Sequence, residues 1–515
     1  MPCVLAPAGV CRAGLARAGT GQTSPAGHLP LKASRMWNPR VEPTAPAVAP
    51  DLPEPARAHE GLIASHGEAS WPTESLFEDA PAHVDLWDWL IRAAIVLGVV
   101  LLGVVSLTSR FFVPLIHAAE HERWMRAVEH PSMLWAAMGS VLLGFRTFLW
   151  FRYRPHRPAT MADAPRLTVI IPAYNEGPMV AKSIDSVAQA RYPRERLEIF
   201  VVDDGSTDDT WRYIQRAAKR HPGLVTALRF PGNRGKRAGL EAGFRQGKGD
   251  VFVTIDSDSV IDPETLLAVT GPFRDPKVGA VAGRVAVYNR KGFIPRMLHV
   301  RFALTFDYLR AVQSTYGTVY CCPGALAGYR ASVVRDVLDA WVTQRFFGRS
   351  CTFGEDRAMT NSILDQGFDT VYQRTAVVHT IVPTTYKRVC KMFLRWDRSY
   401  VREEIRFARS IVWKRPLKKR LMALFDSVVM NLRYPVGWVS LVLIIVLSFK
   451  DPFTLVRFLA AVGVFSLFNM LYYLRTERSF DFVFGVFYSY FSIAALFWVF
   501  PYACLTPRAQ GWLTR

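Results

Sequence analysis

Three short acidic motifs in the middle of the chain have residue types that suit a cation bound together with a diphosphate. They are PAYNE at 172–176, DDGS at 203–206 and DSD at 256–258. Asp256 and Asp258 project to the same side of an extended segment, which suits one hard divalent ion, and such an ion normally also binds a diphosphate. Converging carboxylates repel one another unless a cation or hydrogen-bond donors compensate them. Each motif is weak by itself, but the three in this order predict a single cleft.

A basic motif lies between the second and third acidic motifs. The sequence NRGKR at 233–237 places Gly235 and Lys236 at the start of a predicted helix. This arrangement suits a phosphate contact from both the lysine side chain and the helix N-terminus. The alternative interpretation is a solvated basic turn.

Strand-like and helical patterns alternate around these motifs. The strand-like runs are at 167–172, 198–203, 226–230 and 251–256, and the helical patterns between them are at 179–190, 209–220 and 237–246. Such alternation predicts an α/β domain with a parallel sheet covered by helices on both faces. In such sheets ligands bind at the carboxyl ends of the strands, where the acidic motifs stand.

Long apolar runs lie on both sides of the α/β region. They are at 89–108 and 132–151 before it and at 421–449, 453–474 and 482–506 after it. Each has the length of a membrane-spanning helix, with aromatic and arginine residues near its ends. Pro435 interrupts the third run, which is either one span or an interfacial helix plus a span, so five or six spans are predicted. Two spans before the α/β region place it on the side of the N-terminus, and the basic flanks at 152–157 and 414–420 make that side cytoplasmic.

Composition excludes several classes of protein. Half of the 515 residues are hydrophobic, which excludes a chain disordered as a whole. The seven cysteines form no CxxC pair, which argues against a zinc ribbon or a disulfide scaffold. The net charge of +20 suits anionic lipid headgroups or an anionic substrate. Residues 1–85, rich in alanine and proline, are predicted to be a disordered tail, and Met36 is an alternative start.

Taken together, the motifs resemble those of inverting family-2 glycosyltransferases with a GT-A domain. The similarity is to the membrane-embedded branch of hyaluronan synthases, chitin synthases and rhizobial chitooligosaccharide synthases, and it extends over about residues 165–415. CCPG at 321–324 resembles the acceptor segment, GEDR at 354–357 the catalytic segment, and Arg395-Trp396 the end of the QxxRW motif. Thr380 and Pro383 correspond to a T-x-x-P motif. Met392 replaces the glutamine of QxxRW, so either Lys391 substitutes for it or the loop over the donor works differently.

The resemblance implies a role for each matching residue. Asp356 is the expected catalytic base, with Arg357 as a structural ion-pair partner. Asp256 and Asp258 are expected to bind Mg²⁺ or Mn²⁺. The expected donor-binding residues are Tyr174, Glu176, Asp203, Asp204, Lys236, Asp256 and Arg395. The expected acceptor-binding residues are Gln313, Gly324 and Trp396. Trp396 is alternatively an anchor at the membrane interface, and Cys321 and Cys322 are read as small buried apolar residues rather than functional ones.

The sequence therefore predicts a GT-A glycosyltransferase domain inserted between membrane helices. The predicted segments are a tail at 1–85, two spans within 86–155, the GT-A domain at 160–395, an amphipathic interfacial helix at 396–420, three or four membrane segments at 421–506, and a tail at 507–515.

We expect a multi-pass protein of the cell (plasma or inner) membrane. It would transfer sugar from a UDP-sugar, UDP-GlcNAc with UDP-GlcA as a further donor, to a β-linked polysaccharide that crosses the lipid bilayer. The alternatives are a non-processive enzyme with a lipid-linked acceptor and a catalytically inactive transport or regulatory subunit. We expect no nucleic-acid partner, and association into a homo-oligomer stays open.

Overall fold

A computed structural model describes residues 85–108 and 123–509 of the protein, with the side chains of 105–137 left out. Of the two predicted tails, only Asp85 and residues 507–509 lie within the described part. The described residues form an α/β domain, a group of long helices, and shorter helices between the two.

The α/β domain is built on one eight-stranded sheet in the order β3-β2-β1-β4-β7-β6-β10-β5. Its strands are β1 Leu167–Ala173, β2 Leu197–Asp203, β3 Val225–Arg229, β4 Val251–Ile255, β5 Ser259–Ile261, β6 Val278–Val287, β7 Leu326–Arg330 and β10 Asp369–Thr380, and a separate hairpin contains β8 Arg345–Phe346 and β9 Arg349–Ser350. The first four strands lie within one residue of their predicted bounds. They pair in parallel, which brings the acidic motifs to one edge as predicted.

The prediction of a wholly parallel sheet is wrong in the other half. Strand β7 is antiparallel to both β4 and β6, and β5 is antiparallel to β10. The connection at 288–325 stays at the end of the sheet where β6 finishes, so β7 must run back from that end. Ile255 consequently pairs with Leu326, and the CCPG segment before β7 lies beside the DSD motif after β4.

Helices cover both faces of the sheet. Val169 and Ile171 of β1 belong to one buried cluster and Ile170 to another, as the two-residue period of a strand requires. The helices are α3 Met179–Ala188, α4 Thr210–Arg220, α5 Lys236–Gln246, α6 Thr265–Thr270, α7 Phe293–Phe302, α8 Arg310–Ser314, α9 Ala331–Val342 and α10 Glu355–Asp365, with 3-10 turns at Arg194–Arg196 and Gly271–Arg274 and a π turn at Ala303–Leu309.

Four long helices form the helical group. They are α1 Leu86–Thr108, α2 Arg123–Arg152, α13 Leu417–Ser448 and α14 Phe453–Glu477. Among the described residues, α1, α13 and α14 are long and apolar enough to cross a membrane. Only part of the predicted span at 132–151, which lies in α2, has described side chains. Helix α2 packs among the other three, with the rings of Phe145 and Phe425 4.8 Å apart and the hydroxyls of Thr147 and Tyr472 2.5 Å apart. The predicted span at 132–151 therefore stays a prediction.

The structure distinguishes between the two alternatives for the run at 421–449. Helix α13 continues through Pro435, so this run is one helix and not a short helix followed by a span. The run at 482–506 is not one straight helix, because α15 Phe482–Ala495 and α16 Val499–Leu505 meet at an angle of 48°. Pro501 explains the break, since a proline lacks the backbone N–H and its ring clashes with the carbonyl of residue 497.

The two ends of this bent pair both contact helices that pack on the α/β domain. Asp481, before α15, forms an ion pair of 3.0 Å with Arg296 of α7. Thr506, after α16, accepts a hydrogen bond of 2.9 Å from Arg398. The pair therefore returns toward the α/β domain instead of leading away from it.

The helix predicted at 396–420 begins earlier than expected. Helix α11 runs over Tyr386–Arg406, continues through a π turn at Phe407–Ile411 into α12 Val412–Lys414, and is separated from α13 by Pro416. Its first turns bury Val389 and Met392, three residues apart, and Cys390 and Leu394, four residues apart, which is why the helix extends before residue 396.

Candidate active site

The turn after β1 and the loop after β2 form one hydrogen-bonded unit. Thr210 Oγ1, at the start of α4, accepts hydrogen bonds of 2.8 Å from the amides of both Glu176 and Gly177. The amide of Asn175, whose φ is 54°, donates to Ser206 Oγ at 3.0 Å. The structure therefore joins the predicted donor motifs that contain Tyr174, Glu176 and Asp203.

The two aspartates of the DDGS motif hold backbone in different ways. Asp203 is fully buried, accepts a hydrogen bond of 3.1 Å from the amide of Ser206, and lies 3.0 Å from Arg229 Nε. Asp204 accepts hydrogen bonds from the amides of Arg234 and Gly235 at 2.7 and 2.8 Å. The amides of the two residues before α5 are thus bound by Asp204, and the phosphate contact expected of Lys236 and the helix N-terminus stays a prediction.

Lys236 is the first residue of α5, and its side chain reaches into the cleft. The ammonium forms an ion pair with the carboxylate of Asp256 and lies 3.3 Å from Glu355 Oε1. Burial by itself would lower the pKa of Lys236, but the two carboxylates outweigh it and raise that pKa above its ordinary value. Lys236 therefore stays charged and links the end of β4 to the start of α10.

The two carboxylates that begin α10 have opposite electrostatic environments. Both Glu355 and Asp356 line the cavity next to Lys236. Burial opposes ionisation of Glu355, but Lys236 outweighs it and lowers the pKa of Glu355. Burial, and then the charge of Glu355, raise the pKa of Asp356. Adjacent acids whose pKa values are pushed apart suit different tasks, and Asp356 is the one placed to accept a proton.

The CCPG segment surrounds Asp356. The amide of Gly324 donates to Asp356 Oδ2 at 3.3 Å, and the thiol of Cys321 lies 3.6 Å from the same oxygen. Cys322 is fully buried, as expected of a small apolar residue, whereas Cys321 contacts the carboxylate of the predicted base. Asp356 therefore keeps one oxygen oriented by backbone and thiol donors.

The DSD motif lies in a turn and not in the extended segment expected from the sequence, because the amide of Ser259 donates to the carbonyl of Asp256 at 3.0 Å. Asp258 Oδ1 accepts hydrogen bonds of 3.3 Å from Thr380 and 3.2 Å from Ser259. Thr380 is the threonine of the T-x-x-P motif and ends β10, which pairs with β5. Among the described residues, no three His, Cys, Asp or Glu side chains are grouped as metal ligands. Two carboxylates fit the habit of Mg²⁺, which binds one or two protein carboxylates together with substrate phosphates and water.

The predicted acceptor residues are not all brought together. Gly324 lines the cavity, whereas Gln313 and Trp396 are not among its lining residues. Trp396 lies among the rings of Phe302, Phe306 and Phe393, with centroid distances of 5.9, 6.2 and 5.6 Å. This packing is against the core of the α/β domain, and both the acceptor roles for Gln313 and Trp396 and the anchor alternative for Trp396 stay predictions.

Met392 and Arg395, in the segment that resembles QxxRW, have different surroundings. Met392 is only 5% exposed and belongs to the hydrophobic core, so the position of the motif glutamine does not face the cavity here. Arg395 is close enough to Glu355 for its charge to help lower the pKa of that carboxylate. Arg395 therefore remains a candidate for contact with a diphosphate.

Sequence reasoning missed Trp341 as a residue of the site. Its ring lines the cavity, its indole N–H donates to the carbonyl of Glu355 at 3.0 Å, and the Arg237 guanidinium lies 4.8 Å from its centroid. A tryptophan on a helix with an apolar face is indistinguishable in sequence from a core residue. No local signal would have identified it.

Arg357 is a structural ion-pair partner, as predicted. Its guanidinium is buried, pairs with Glu404 of α11 and lies 4.4 Å from the ring centroid of Tyr400. Removing one member of a buried pair leaves the other charge uncompensated, at a cost of about 3–5 kcal/mol.

We therefore expect Arg357→Met to lower the free energy of unfolding by about 3–5 kcal/mol. Arg166→Met is the matched control, because Arg166 pairs with Asp250 while both side chains are more than half exposed, and such pairs are worth about 0–1 kcal/mol. Thermal unfolding of the detergent-purified protein measures both. Equal losses from the two variants would contradict the structural role of Arg357.

Comparisons with known proteins agree with this geometry. The profile of the family described as "Glycosyl transferase family 2" matches residues 168–338. An N-acetylglucosaminyltransferase of Azorhizobium caulinodans is 31% identical over 353 residues, which are 68% of this chain and 87% of that protein. An N-acetylglucosaminyltransferase of Rhizobium meliloti (strain 1021) is 36% identical over 48% of this chain, and the match spans 58% of that protein.

Two more comparisons are with a relative that has a different printed activity and with a solved structure. A hyaluronan synthase of Streptococcus pyogenes is 34% identical over 48% of this chain and 60% of its own length. Among solved structures, a mannosyltransferase from Pyrobaculum calidifontis in complex with GDP-Man and Mn²⁺ has a TM-score of 0.52 at 21% identity, covering 70% of this chain and 99% of that one. At this identity the structural likeness concerns the fold alone.

Proposed function

Because the chain belongs to glycosyltransferase family 2 and has the GT-A fold, we propose that it transfers a sugar from a UDP-sugar to a growing β-linked polysaccharide. The observation that carries this proposal is the junction of Lys236, Asp256, Glu355 and Asp356 at the carboxyl edge of the sheet. It puts positive charge for a leaving diphosphate next to a carboxylate that can accept a proton.

In the proposed reaction an acceptor hydroxyl attacks the anomeric carbon of the donor sugar. Asp356 accepts the hydroxyl proton, the new glycosidic bond forms, and the bond from the anomeric carbon to the diphosphate oxygen breaks with inversion. Lys236 and Arg395 stabilise the charge that develops on the departing UDP. Asp256 and Asp258 would hold Mg²⁺ or Mn²⁺, which when bound adds positive charge for the diphosphate.

We propose UDP-GlcNAc as donor, either alone for a chitin-like polymer or with UDP-GlcA for a hyaluronan-like one. The names of the relatives, N-acetylglucosaminyltransferase and hyaluronan synthase, support this choice. The helical group packed on the catalytic domain supports passage of the polymer through the spans of the same chain. Glu404 of α11 accepts a hydrogen bond of 2.8 Å from Asn431 of α13, so the two parts are directly connected.

The experiment that tests this function offers radiolabelled UDP-sugars to inverted membrane vesicles, first singly and then in pairs. We expect a polymer that chitinase degrades when UDP-GlcNAc is given alone, or one that hyaluronidase degrades when UDP-GlcA is added. Vesicles with Asp356→Asn provide the control for background synthesis. Absence of transfer from every UDP-sugar, with the protein intact in the vesicles, would contradict the proposal.

A non-processive enzyme with a lipid-linked acceptor is the second candidate. Met392, buried where the motif has glutamine, favours it, because the side chain there cannot make that residue's hydrogen bonds. Labelled product that extracts into organic solvent and does not grow with time would support this alternative. An inactive transport or regulatory subunit is disfavoured by the presence of all the acidic motif residues, and metal-dependent UDP release by the purified protein would exclude it.

We place the catalytic domain in the cytoplasm, on the same side of the cell membrane as the N-terminus. Asp88, at the start of α1, accepts a hydrogen bond of 2.7 Å from Arg475 at the end of α14. Arg475 also lies 4.3 Å from the ring centroid of Trp150 at the end of α2, which leads into the catalytic domain. These three helix ends therefore share one side.

Reporter fusions test this topology. We expect fusions after Asp85, Lys248 and Ala509 to report the cytoplasm and a fusion at Asp451, in the turn between α13 and α14, to report the opposite side. The first three are expected to agree because Asp85 forms an ion pair with Arg478, directly after α14, and Thr506, after the bent pair, is bonded to Arg398 of α11. An external report at Lys248 would contradict the whole arrangement.

A further inference from the structure

Lys236 pairs with Asp256, one of the two carboxylates proposed to bind the divalent ion. Its ammonium contacts Oδ1 of Asp256 and lies 3.3 Å from Glu355 Oε1, and the lysine side chain is only 16% exposed. An oxygen that pairs with this ammonium presents the same lone pairs that a divalent ion would use. The lysine and the ion therefore compete for Asp256.

The backbone around Lys236 holds the amine in this position. Asp204 fixes the amides of Arg234 and Gly235 directly before the lysine. On the other side, a Cβ added to Gly324 would lie 2.8 Å from the amine and 3.6 Å from Asp256 Oδ1. The space for the amine is therefore tight, while its four-carbon stem is flexible enough to move it to a nearby anion.

Charge balance decides when the amine leaves Asp256. Three carboxylates lie near the ammonium: Asp256 and Glu355 pair with it, and Asp356 lines the same cavity. A divalent ion that enters alone meets the ammonium at short range, and like charges repel. An ion that enters with a diphosphate brings negative charge with it, and that charge offers the ammonium a new partner.

Resting on the proposed function, we propose that Lys236 is the counter-cation of the donor-free site. Its ammonium neutralises Asp256 and Glu355 until the nucleotide and the divalent ion enter together, and it then transfers from Asp256 to the diphosphate. Lys236 thereby makes metal binding depend on the nucleotide. In this role it is a positioning residue for the metal as well as a contact for the leaving group.

The test measures Mn²⁺ binding to the purified full-length protein by the EPR signal of free Mn²⁺, with and without UDP. For the natural chain we expect weak binding of Mn²⁺ alone and a clear increase with UDP. Lys236→Met should bind Mn²⁺ alone about tenfold more tightly, as expected when a competing charge at contact distance is removed. The increase with UDP should shrink in the same variant. Lys248→Met, which changes an exposed lysine, is the matched control and should behave like the natural chain.

A second variant keeps the test decisive if Lys236→Met does not fold. Gly324→Ala leaves every charge in place but puts a methyl group 2.8 Å from the amine, which must shift away, so it should also strengthen binding of Mn²⁺ alone. If neither folded variant binds Mn²⁺ alone more tightly than the natural chain, the proposal for Lys236 is wrong. If UDP has no effect on Mn²⁺ binding even in the natural chain, the proposed function fails, and the counter-cation role fails with it.

Discussion

Asp356→Asn is expected to reduce sugar transfer by at least about 10²-fold, the usual contribution of a general base. Asparagine keeps the size and shape of the side chain but cannot accept the proton of the acceptor hydroxyl. UDP binding should persist, because the charges of Lys236 and Asp256 are unchanged. Initial rates of transfer and equilibrium binding of UDP, measured on the same preparation, separate the two effects.

Glu355→Gln is the matched comparison for Asp356→Asn and should reduce transfer less. The Glu355 carboxylate pairs with Lys236, whose ammonium keeps Asp256 as a partner when Glu355 loses its charge. The variant also predicts a pH effect, because the charge of Glu355 raises the pKa of Asp356. A base works only when deprotonated, so activity falls as the pH drops through this raised pKa. Removing the charge should lower that pKa and move the acidic limb of the rate profile to lower pH.

The decisive result is which of the two variants, Asp356→Asn or Glu355→Gln, reduces sugar transfer more. If Glu355→Gln abolishes transfer while Asp356→Asn keeps near-normal rates, the assignment of the base is wrong by one residue. The motif alignment around GEDR would then fail as well.

Asp258→Ala is expected to abolish transfer with little loss of folding. The substitution removes one of the two carboxylates that would hold a divalent ion next to the diphosphate. Its structural contacts are two hydrogen bonds from hydroxyls at 3.2 and 3.3 Å, so few interactions that stabilise the fold are lost. Transfer assays with added Mn²⁺ and thermal unfolding of the same variant measure the two quantities.

Asp262→Ala is the control for Asp258→Ala on the same segment. Asp262 lies outside the DSD motif, at the other end of β5 from Asp258, and 3.0 Å from His379 Nε2. It should leave transfer largely intact. Equal activity of the natural chain in EDTA and in excess Mn²⁺ would count against a metal site, whatever the variants show.

The strand-end motifs could be predicted because their signal is local. Each is a polar group directly after a buried apolar run, and β1, β2 and β4 pair in parallel, so their carboxyl ends meet. The role of Asp204 could not be predicted, because it depends on the loop at 232–235 folding back over Gly205, where a Cβ would lie 2.5 Å from the backbone of Gly232. Contacts between distant segments leave no periodic pattern in the sequence.

The antiparallel direction of β7 also could not be predicted from the sequence. Its five residues have the pattern of any buried strand, and only the path of the preceding connection decides the direction. The bend near residue 497, in contrast, could have been predicted from Pro501, because a proline disrupts the helix around the residue four positions before it. The prediction of one helix rested only on the hydrophobicity of this run. Length and apolarity thus predicted a helix there but not its break.

The buried polar side chains of α11 connect α10 of the α/β domain to the long helix α13. Glu404 pairs with Arg357 of α10, the helix that carries Asp356, and accepts hydrogen bonds from Ser427 and Asn431 of the long helix α13. One carboxylate is therefore shared by the helix of the proposed base and a helix of the helical group. Breaking a buried pair by removing one partner costs about 3–5 kcal/mol. We therefore expect α10 and α13 to keep their relative position in any movement that accompanies sugar transfer.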